Sequence, residues 1–154
     1  MKSVSALLSL LAFALPVLGG KTFDVYWVDV EGGAATLVKT PAGESILIDT
    51  GNPGSRDAGR IHRIATREAG LKKIDHLITT HFHGDHYGGA AMLANLMPIG
   101  IVHDNGIPNK NPDRHRKNPI FPQLIKPYRN MKVGSRHVVT PGYVYPLKQA
   151  EGAD

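Results

Sequence analysis

Three histidines and an aspartate fall within six residues directly after an apolar segment, and this run constrains the fold more than any other feature. The run reads HFHGDH and contains His81, His83, Asp85 and His86. The preceding residues 74–79, IDHLIT, predict a buried strand, so the polar run stands on the turn that follows it. Alternate spacing around a glycine lets several of these side chains converge on one point. The run therefore predicts a metal site at the end of a strand.

The donor atoms of this run suit divalent metal ions. The sequence contains no cysteine, which excludes disulfides and thiolate ligands and leaves imidazoles and carboxylates. Neutral imidazoles favour Zn²⁺, and a carboxylate also admits Mn²⁺ or Fe²⁺. A metal in an open site lowers the pKa of its bound water towards about 7, which supplies hydroxide at neutral pH. The plainer alternative, four polar residues on an exposed turn, is disfavoured by the density of ligand-type side chains.

The first twenty residues differ from the rest of the chain. Lys2 precedes an apolar run over residues 6–15, Pro16 interrupts it, and residues 17–20 offer small side chains. This arrangement is typical of a secretory signal peptide, and the run is short for a permanent membrane anchor. We therefore predict a signal peptide over residues 1–20, cleavage that leaves no membrane anchor, and a secreted or periplasmic protein. An uncleaved anchor and a buried core helix are the alternatives.

Residues 21–154 read as one α/β domain. Alternating apolar residues and turn signals predict an opening meander of three strands, and apolar spacing predicts a long amphipathic helix ended by Gly70. Arg60, Arg63 and Arg67 fall on the polar side of that helix and predict a solvated face. The predicted elements are strands over residues 22–30, 34–40, 45–49, 74–79, 99–103, 136–139 and 143–147, and helices over residues 56–69 and 90–96.

A basic stretch in the second half of the chain raises the question of nucleic-acid binding. The chain has 18 Lys and Arg against 13 Asp and Glu, a formal charge of +5, and a basic balance is compatible with phosphate-rich partners. Residues 105–127 are basic and contain five prolines, which predicts a long surface loop. Phe121 and Tyr128 are the aromatic residues there that could stack on bases. Nucleic acid therefore stays open as a partner.

The segments around the motif extend it into a family pattern. HFHGDH resembles the HxHxDH signature of the metallo-β-lactamase superfamily. Residues 47–51, LIDTG, look like the superfamily's strand-end IDTG. Residues 28–35, VDVEGGAA, look like the DVGQGDA hairpin of the branch that contains the hydrolase domain of the DNA-uptake competence proteins. The resemblance covers residues 22–103.

The resemblance implies an αββα sandwich with metals at the edge of its sheets, and hydrolysis of an ester, amide, thioester or phosphodiester. It implies that His81 and His83 bind a first metal ion, and that Asp85 and His86 bind a second. Asp85 would also orient the attacking water, which makes it the catalytic residue. Asp49 would support the ligands from behind. One or two Zn²⁺ ions are the expected cofactors.

The second half of the family's site is harder to place on this sequence. The family adds a third histidine, a bridging aspartate and a last histidine from the second half of the fold. Residues 140–142, TPG, resemble a TPGH segment, but the next residue is Tyr143. His103 and His137 are the remaining candidates, although a lone histidine on an apolar strand is more often structural. Asp154 is the last residue and lacks the expected strand-end context.

We therefore expect the N-terminal half of the sandwich only, with residues 21–154 incomplete at the C-terminus. Such a half would expose an apolar sheet face and an unpaired edge, which an oligomer could cover. A truncated gene product explains this better than a half-fold that borrows its second half by association. His62, His76 and His115 are spread singly along the chain and receive no functional role.

Three functions follow from these observations. The leading one is an exported metal-dependent hydrolase acting on an unidentified small molecule. The second is a non-catalytic metal-binding fragment of such a hydrolase, motivated by the missing ligands. The third is a nucleic-acid-processing phosphodiesterase, motivated by the competence-like hairpin and the basic residues 110–129. Fold alone does not choose the substrate.

Overall fold

A computed structural model describes residues 21–112 and 119–150. The predicted signal peptide over residues 1–20, together with His115 and Asp154, lies outside the described residues. Within the described ranges, no helix is both long enough and apolar enough to cross a membrane.

The described chain opens with three antiparallel strands. They are β1 (Asp24–Trp27), β2 (Thr36–Lys39) and β3 (Ser45–Ile48), which confirms the predicted meander with shorter strands. The turn between β2 and β3 is closed by the Thr40 N–H, which donates to the Glu44 carbonyl over 2.8 Å. Gly43 stands in this turn at a φ of 77°, a conformation that glycine adopts without steric cost.

A long helix carries the chain from β3 to the next strand. Helix α1 spans Ser55–Arg63 and continues as a π-helical turn over Ile64–Glu68, which together confirm the predicted helix over residues 56–69. In the wider turn the Ala69 N–H donates to the Ile64 carbonyl over 3.0 Å. Gly70 follows at a φ of 67° and ends the helix, as expected for a residue in the left-handed region.

Three parallel pairings complete a six-stranded mixed sheet. After β4 (Ile74–Ile78) come the short helix α2 (Gly84–Tyr87), α3 (Ala90–Leu96) and β5 (Ile99–Asp104). Strand β6 (Ser135–Val138) pairs with β5, and the order across the sheet is β1-β2-β3-β4-β5-β6. The strands predicted over residues 74–79, 99–103 and 136–139 and the helix over residues 90–96 are therefore confirmed.

One face of the sheet forms the core. Leu37, Leu47, Leu77 and Val102 lie in register across four strands and are fully buried. Helices α1 and α3 contribute buried apolar residues to the same core, among them Ile61 of α1. Each fully buried aliphatic side chain contributes about 1.5–3 kcal/mol to folding. This sheet with its one helical layer is half of the αββα sandwich that the resemblance implies.

The opposite face of the sheet, here called the open face, carries the side chains that alternate along each strand with those of the core face. Trp27 is 80% exposed there, and Ile46, Ile78 and Ile101 are half-buried. Residues 140–148, called the strap, contact the middle of this face. The expected apolar face is therefore present, and the strap covers part of it.

The prediction of a surface loop over residues 105–127 is wrong in its second half. Residues there form α4 (Phe121–Leu124) and α5 (Lys126–Asn130), each with a proline in its first turn. Proline is compatible with that position because the N–H it lacks has no partner inside the helix. Phe121 and Tyr128 are buried in the core, so neither ring is available to stack on a base.

One smaller prediction is also wrong. The strand predicted over residues 143–147 does not form, because Tyr143 and Tyr145 pack against histidine rings within the strap's contact with the sheet.

The solvated helix face predicted at Arg60, Arg63 and Arg67 is confirmed for Arg63 and Arg67, which are exposed. Arg60 is partly exposed, and its Nη1 donates at the surface to the backbone carbonyl of Asp29 over 2.7 Å and to the Asp29 carboxylate over 2.9 Å.

Candidate metal centre

The HFHGDH run occupies the turn after β4 and the first three residues of α2. The ring centroid of His81 lies 3.9 Å from that of His86 and 4.6 Å from that of His83. The side chain of Asp85 is 41% exposed and that of His86 is 22% exposed. The fold therefore brings the three imidazoles together at the end of the sheet, where solvent reaches them.

Asp49 anchors this turn from the end of the neighbouring strand β3. Its carboxylate is 2% exposed and accepts the Thr80 N–H over 2.9 Å and the Thr80 hydroxyl over 2.6 Å. The same carboxylate lies 2.8 Å from His86 Nδ1. The residue has a φ of 59°, so the chain turns sharply to aim this side chain at the motif. The contacts are those expected of a support for metal ligands, and that role stays a prediction.

The contact with Asp49 fixes the tautomer of His86. An ionised carboxylate only accepts hydrogen bonds, so Nδ1 carries a proton, and in the neutral ring the lone pair is then on Nε2. Nε2 lies 3.8 Å from Asp85 Oδ2, so the two groups assigned to the second metal ion face the same space. A histidine that gives its other N–H to a carboxylate is the usual arrangement for a metal ligand.

The glycine-rich turn of the first hairpin holds the motif from the other side. The Ala34 N–H donates to the Asp85 carbonyl over 3.2 Å, and a Cβ added at Gly33 would lie 2.3 Å from that same oxygen. From the 47–51 segment, the Thr50 N–H and the Thr50 hydroxyl both donate to the His86 carbonyl, over 2.6 Å and 3.0 Å. The two segments that carry the family resemblance therefore serve to pack the backbone closely around the HFHGDH turn.

The electrostatics of the cluster favour the neutral form of His81. Burial lowers the pKa of His81, the neighbouring His86 and His83 lower it further, and Asp49 and Asp85 oppose them. A metal ion needs the neutral imidazole, because only that form offers a lone pair. The cluster thus holds the His81 ring in the protonation state that binding requires.

The donor set consists of three imidazoles and the Asp85 carboxylate, with the Asp49 carboxylate behind the His86 ring. This chemistry fits a transition metal ion. In residues 21–112 and 119–150, however, no three His, Asp or Glu side chains are arranged around a common point. The rings of His81, His83 and His86 lie against one another instead. Binding would require these side chains to turn towards the ion, and the ligand assignment stays a prediction.

The two candidates for a third histidine ligand lie elsewhere. His103 points to the open face, where its Nε2 lies 3.1 Å from His76 Nδ1 and its ring contacts Tyr145 at 4.9 Å between centroids. His137 lies on the edge strand β6 and stacks on Tyr143 at 4.4 Å. The structure therefore gathers both histidines into a second cluster and does not bring them to the HFHGDH turn.

Sequence reasoning missed several polar residues that the fold uses. His76, which received no role, lies in a buried row with Glu44 and His103. The buried hydroxyl of Tyr128 donates to Asp104 Oδ2 over 3.0 Å and lies 2.9 Å from Thr79 Oγ1. Each of these contacts joins residues that are 24 or more positions apart, so no local sequence pattern could have revealed them.

A family model described as "Metallo-beta-lactamase superfamily" matches residues 28–146 of this chain. The match covers most of the chain, and the chain belongs to this superfamily. The resemblance drawn from HFHGDH and its flanks is therefore confirmed.

Curated relatives match shorter stretches. A UPF0173 metal-dependent hydrolase of Cupriavidus metallidurans is 37% identical over 91 residues, 57% of this chain and 28% of that protein. Metallo-beta-lactamase domain-containing protein 1 of Rattus norvegicus is 31% identical over 78 residues, 51% of this chain and 30% of that protein. Ribonuclease Z of Thermococcus onnurineus is 38% identical over 57 residues, 37% of this chain and 16% of that protein. The chain thus spans less than a third of the length of each of these relatives.

Proposed function

We propose that this chain carries the metal-binding part of an exported metal-dependent hydrolase that acts on an ester, amide or phosphodiester. The observation that carries the proposal is the bridge from Asp49 to Thr80 and His86. This bridge fixes the start of the HFHGDH turn and the imidazole of His86 at a strand end that solvent reaches, beside His81, His83 and Asp85. The family membership supports the same function, as does the name of the Cupriavidus metallidurans relative, a metal-dependent hydrolase.

The proposed roles follow the side chains. His81 and His83 hold one ion, and Asp85 and His86 hold a second, with Zn²⁺ as the first choice and Mn²⁺ or Fe²⁺ as alternatives. Such ions, when bound, supply a water of lowered pKa and neutralise charge on the leaving oxygen. Asp85, whose side chain is partly exposed, accepts a hydrogen bond from the attacking water and orients it. The proton on His86 Nδ1 stays on the ring, because the Asp49 carboxylate receives its hydrogen bond.

A phosphodiesterase acting on nucleic acid is the second candidate. Its support is the name of the Thermococcus ribonuclease Z and the net charge of +5. Stacking on Phe121 and Tyr128 no longer supports it, because both rings are buried. Nucleic-acid binding through phosphates must weaken steeply as salt rises. An affinity that is unchanged between low and physiological salt would remove this candidate.

Metal content is the first test of the proposed site. We expect one or two equivalents of zinc, manganese or iron per purified chain by elemental mass spectrometry, and fewer in His83→Ala. His62→Ala is the matched control, because it removes a half-buried histidine from α1, away from the motif. Equal metal content in all three proteins would contradict the assigned ligands.

Turnover separates a hydrolase from a non-catalytic metal-binding fragment. The hydrolase reading predicts that the metal-loaded chain cleaves a p-nitrophenyl ester or a bis(p-nitrophenyl) phosphodiester, and that a chelator stops the reaction. Metal binding without turnover on either compound would favour the fragment. Export is tested separately by N-terminal sequencing of the secreted protein, which we expect to begin near Lys21.

A further inference from the structure

A row of buried titratable side chains crosses the open face, away from the HFHGDH turn. Glu44 Oε1 lies 3.2 Å from His76 Nε2, and His76 Nδ1 lies 3.1 Å from His103 Nε2. All three residues are buried, and His103 is 1% exposed. They come from the turn before β3, from β4 and from β5, so the register of the sheet assembles the row.

The strap covers this row and is attached at both of its ends. The Lys148 backbone N–H donates to Glu44 Oε2 over 2.8 Å. The ring of Tyr145 meets His103 edge-on at 4.9 Å between centroids, and Tyr143 stacks on His137 at 4.4 Å. Burial of the row therefore depends on the strap being in place.

The protons of the row can be assigned from its ends. An ionised Glu44 accepts from His76 Nε2–H, which leaves His76 Nδ1 to accept from His103 Nε2–H. The Nδ1 atom of His103 is then a buried lone pair, and within the described ranges it has no hydrogen-bond partner. A proton added at that atom would create a buried cation, and its new N–H would have no acceptor. The free energy of protonation is therefore much less favourable here than in water.

The surroundings of His103 oppose this proton on balance. Burial lowers its pKa most, His76 and His137 lower it further, and Asp104 opposes them. The titratable groups of the strap that face the row are Tyr143 and Tyr145, whereas Lys148 meets the row through its backbone N–H. Burial raises the pKa of Tyr145, so this phenol stays neutral in the acid range.

We propose that the strap is a pH-responsive cover, closed over Glu44, His76 and His103 at neutral pH and released as the solution becomes acidic. His103 can take up a proton at Nδ1 only when the strap has lifted and water reaches the ring. Release exposes the row and adds the half-buried side chains of Ile46 and Ile101 to the apolar surface of the open face. The device does not involve the metal motif, so it stands or fails independently of the proposed hydrolysis.

The sign of the effect follows from linkage. The closed state holds the pKa of His103 below its ordinary value of about 6.5, whereas the open state restores it. A lowered pKa in the closed state means that closure is fully favoured above pH ~6.5. Closure weakens as the pH falls below that value, by up to about tenfold in the closing constant per pH unit.

Hydrogen–deuterium exchange by mass spectrometry measures this closing constant. We expect protection of the peptide covering residues 140–148, corrected for intrinsic exchange, to fall between pH 7.5 and 5.5. Protection of the β3–β4 core should stay constant over the same range. This range lies above the ordinary pKa of a glutamate, about 4.3. Constant protection of the strap, or equal loss in strap and core, would overturn the proposal.

Two pairs of variants identify the groups involved. His103→Phe keeps an aromatic ring under Tyr145 but cannot titrate, so the pH dependence should vanish, whereas His62→Phe should retain it. Persistence of the pH dependence in folded His103→Phe would overturn the proposal.

Lys148→Pro removes the N–H that donates to Glu44 and should lower strap protection at every pH. Gln149→Pro places the same ring one residue later as its control, and equal protection in these two variants would also contradict the proposal.

Discussion

Within the described residues two clusters of histidines are built in opposite ways, one on a turn at the end of the sheet and one on the open face of the sheet. His81, His83 and His86 are near neighbours in sequence and meet on a turn that solvent reaches. His76 and His103 are 27 residues apart and meet only because β4 and β5 pair in the right register. The residues of the first cluster are therefore adjacent already in the sequence, whereas those of the second come together only when the sheet forms.

The difference in burial separates what the two clusters do. Side chains on a solvent-reached turn can exchange water for a metal ion with little effect on the core. Side chains under the strap are shielded from water and must form hydrogen bonds with one another. Removing one of them therefore leaves a buried polar group without a hydrogen-bond partner. Substitutions in the first cluster should change ligand binding, and substitutions in the second should change stability.

The largest loss of stability is expected at Asp49, the buried residue that supports the exposed cluster. Asp49→Ala removes an acceptor used by the Thr80 N–H, the Thr80 hydroxyl and His86 Nδ1. Removing this buried carboxylate, and with it the acceptor of three partly buried donors, should cost about 3–5 kcal/mol of unfolding free energy, measured by urea titration with a chelator present. Asp29→Ala removes an exposed carboxylate that pairs with Arg60 and should cost under about 1 kcal/mol. Similar losses in the two variants would contradict the anchoring role of Asp49.

The next effect tests whether the buried cluster is structural. His76→Ala removes a ring between Glu44 and His103 and leaves a cavity, which should cost about 2–4 kcal/mol in the same titration. Metal content should remain that of the unmodified chain. His62→Ala, on the half-buried side of α1, is the matched control. Loss of bound metal from folded His76→Ala would show that the two clusters are not separate.

A smaller effect is expected at the turn that packs against the motif. Gly33→Ala places a methyl group 2.3 Å from the Asp85 carbonyl, so the backbone must shift, at a cost of about 1–3 kcal/mol. Gly32→Ala is the adjacent control, because a Cβ there meets nothing within 4 Å. We expect metal affinity to fall in Gly33→Ala and to persist in Gly32→Ala, as measured by calorimetric titration with Zn²⁺. Equal affinities would mean that the hairpin does not position the ligands.

The smallest effect on stability should come from the motif itself. His83→Ala changes an exposed side chain and should alter the unfolding free energy of the metal-free chain by no more than about 0.5 kcal/mol. Its effect should appear in Zn²⁺ affinity instead. A loss of stability as large as that of His76→Ala would remove the distinction between the two clusters.

The sequence predicted the elements whose signals are local. Period-two alternation located the meander, and helical spacing with Gly70 located α1. Helices α4 and α5 were missed because their prolines, which suit a first helical turn, also mark loops. Their burial depends on Phe121 and Tyr128 reaching the core, and Tyr128 is held there by the ring of Phe82 at 5.4 Å and by Thr79 and Asp104.

The candidate site divides in the same way. HFHGDH and the IDTG-like segment predicted where ligands and their support would lie, because both follow strand ends directly. The row of Glu44, His76 and His103 had no such signal, since each residue stands alone in its stretch of sequence. His103 and His137 were considered as ligands because only their residue type was visible, and residues 143–147 of the strap that packs against them were predicted to be a strand.

The single tryptophan of the chain offers a consequence of a different kind. Trp27 stands on the edge strand β1 with 80% of its surface in water, on the face that a second layer would cover. Its indole emission should therefore be red-shifted in the free chain and should move to shorter wavelength when anything packs there. The molecule thus carries an intrinsic optical probe, which reports any second layer on this face in a single spectrum and without a label.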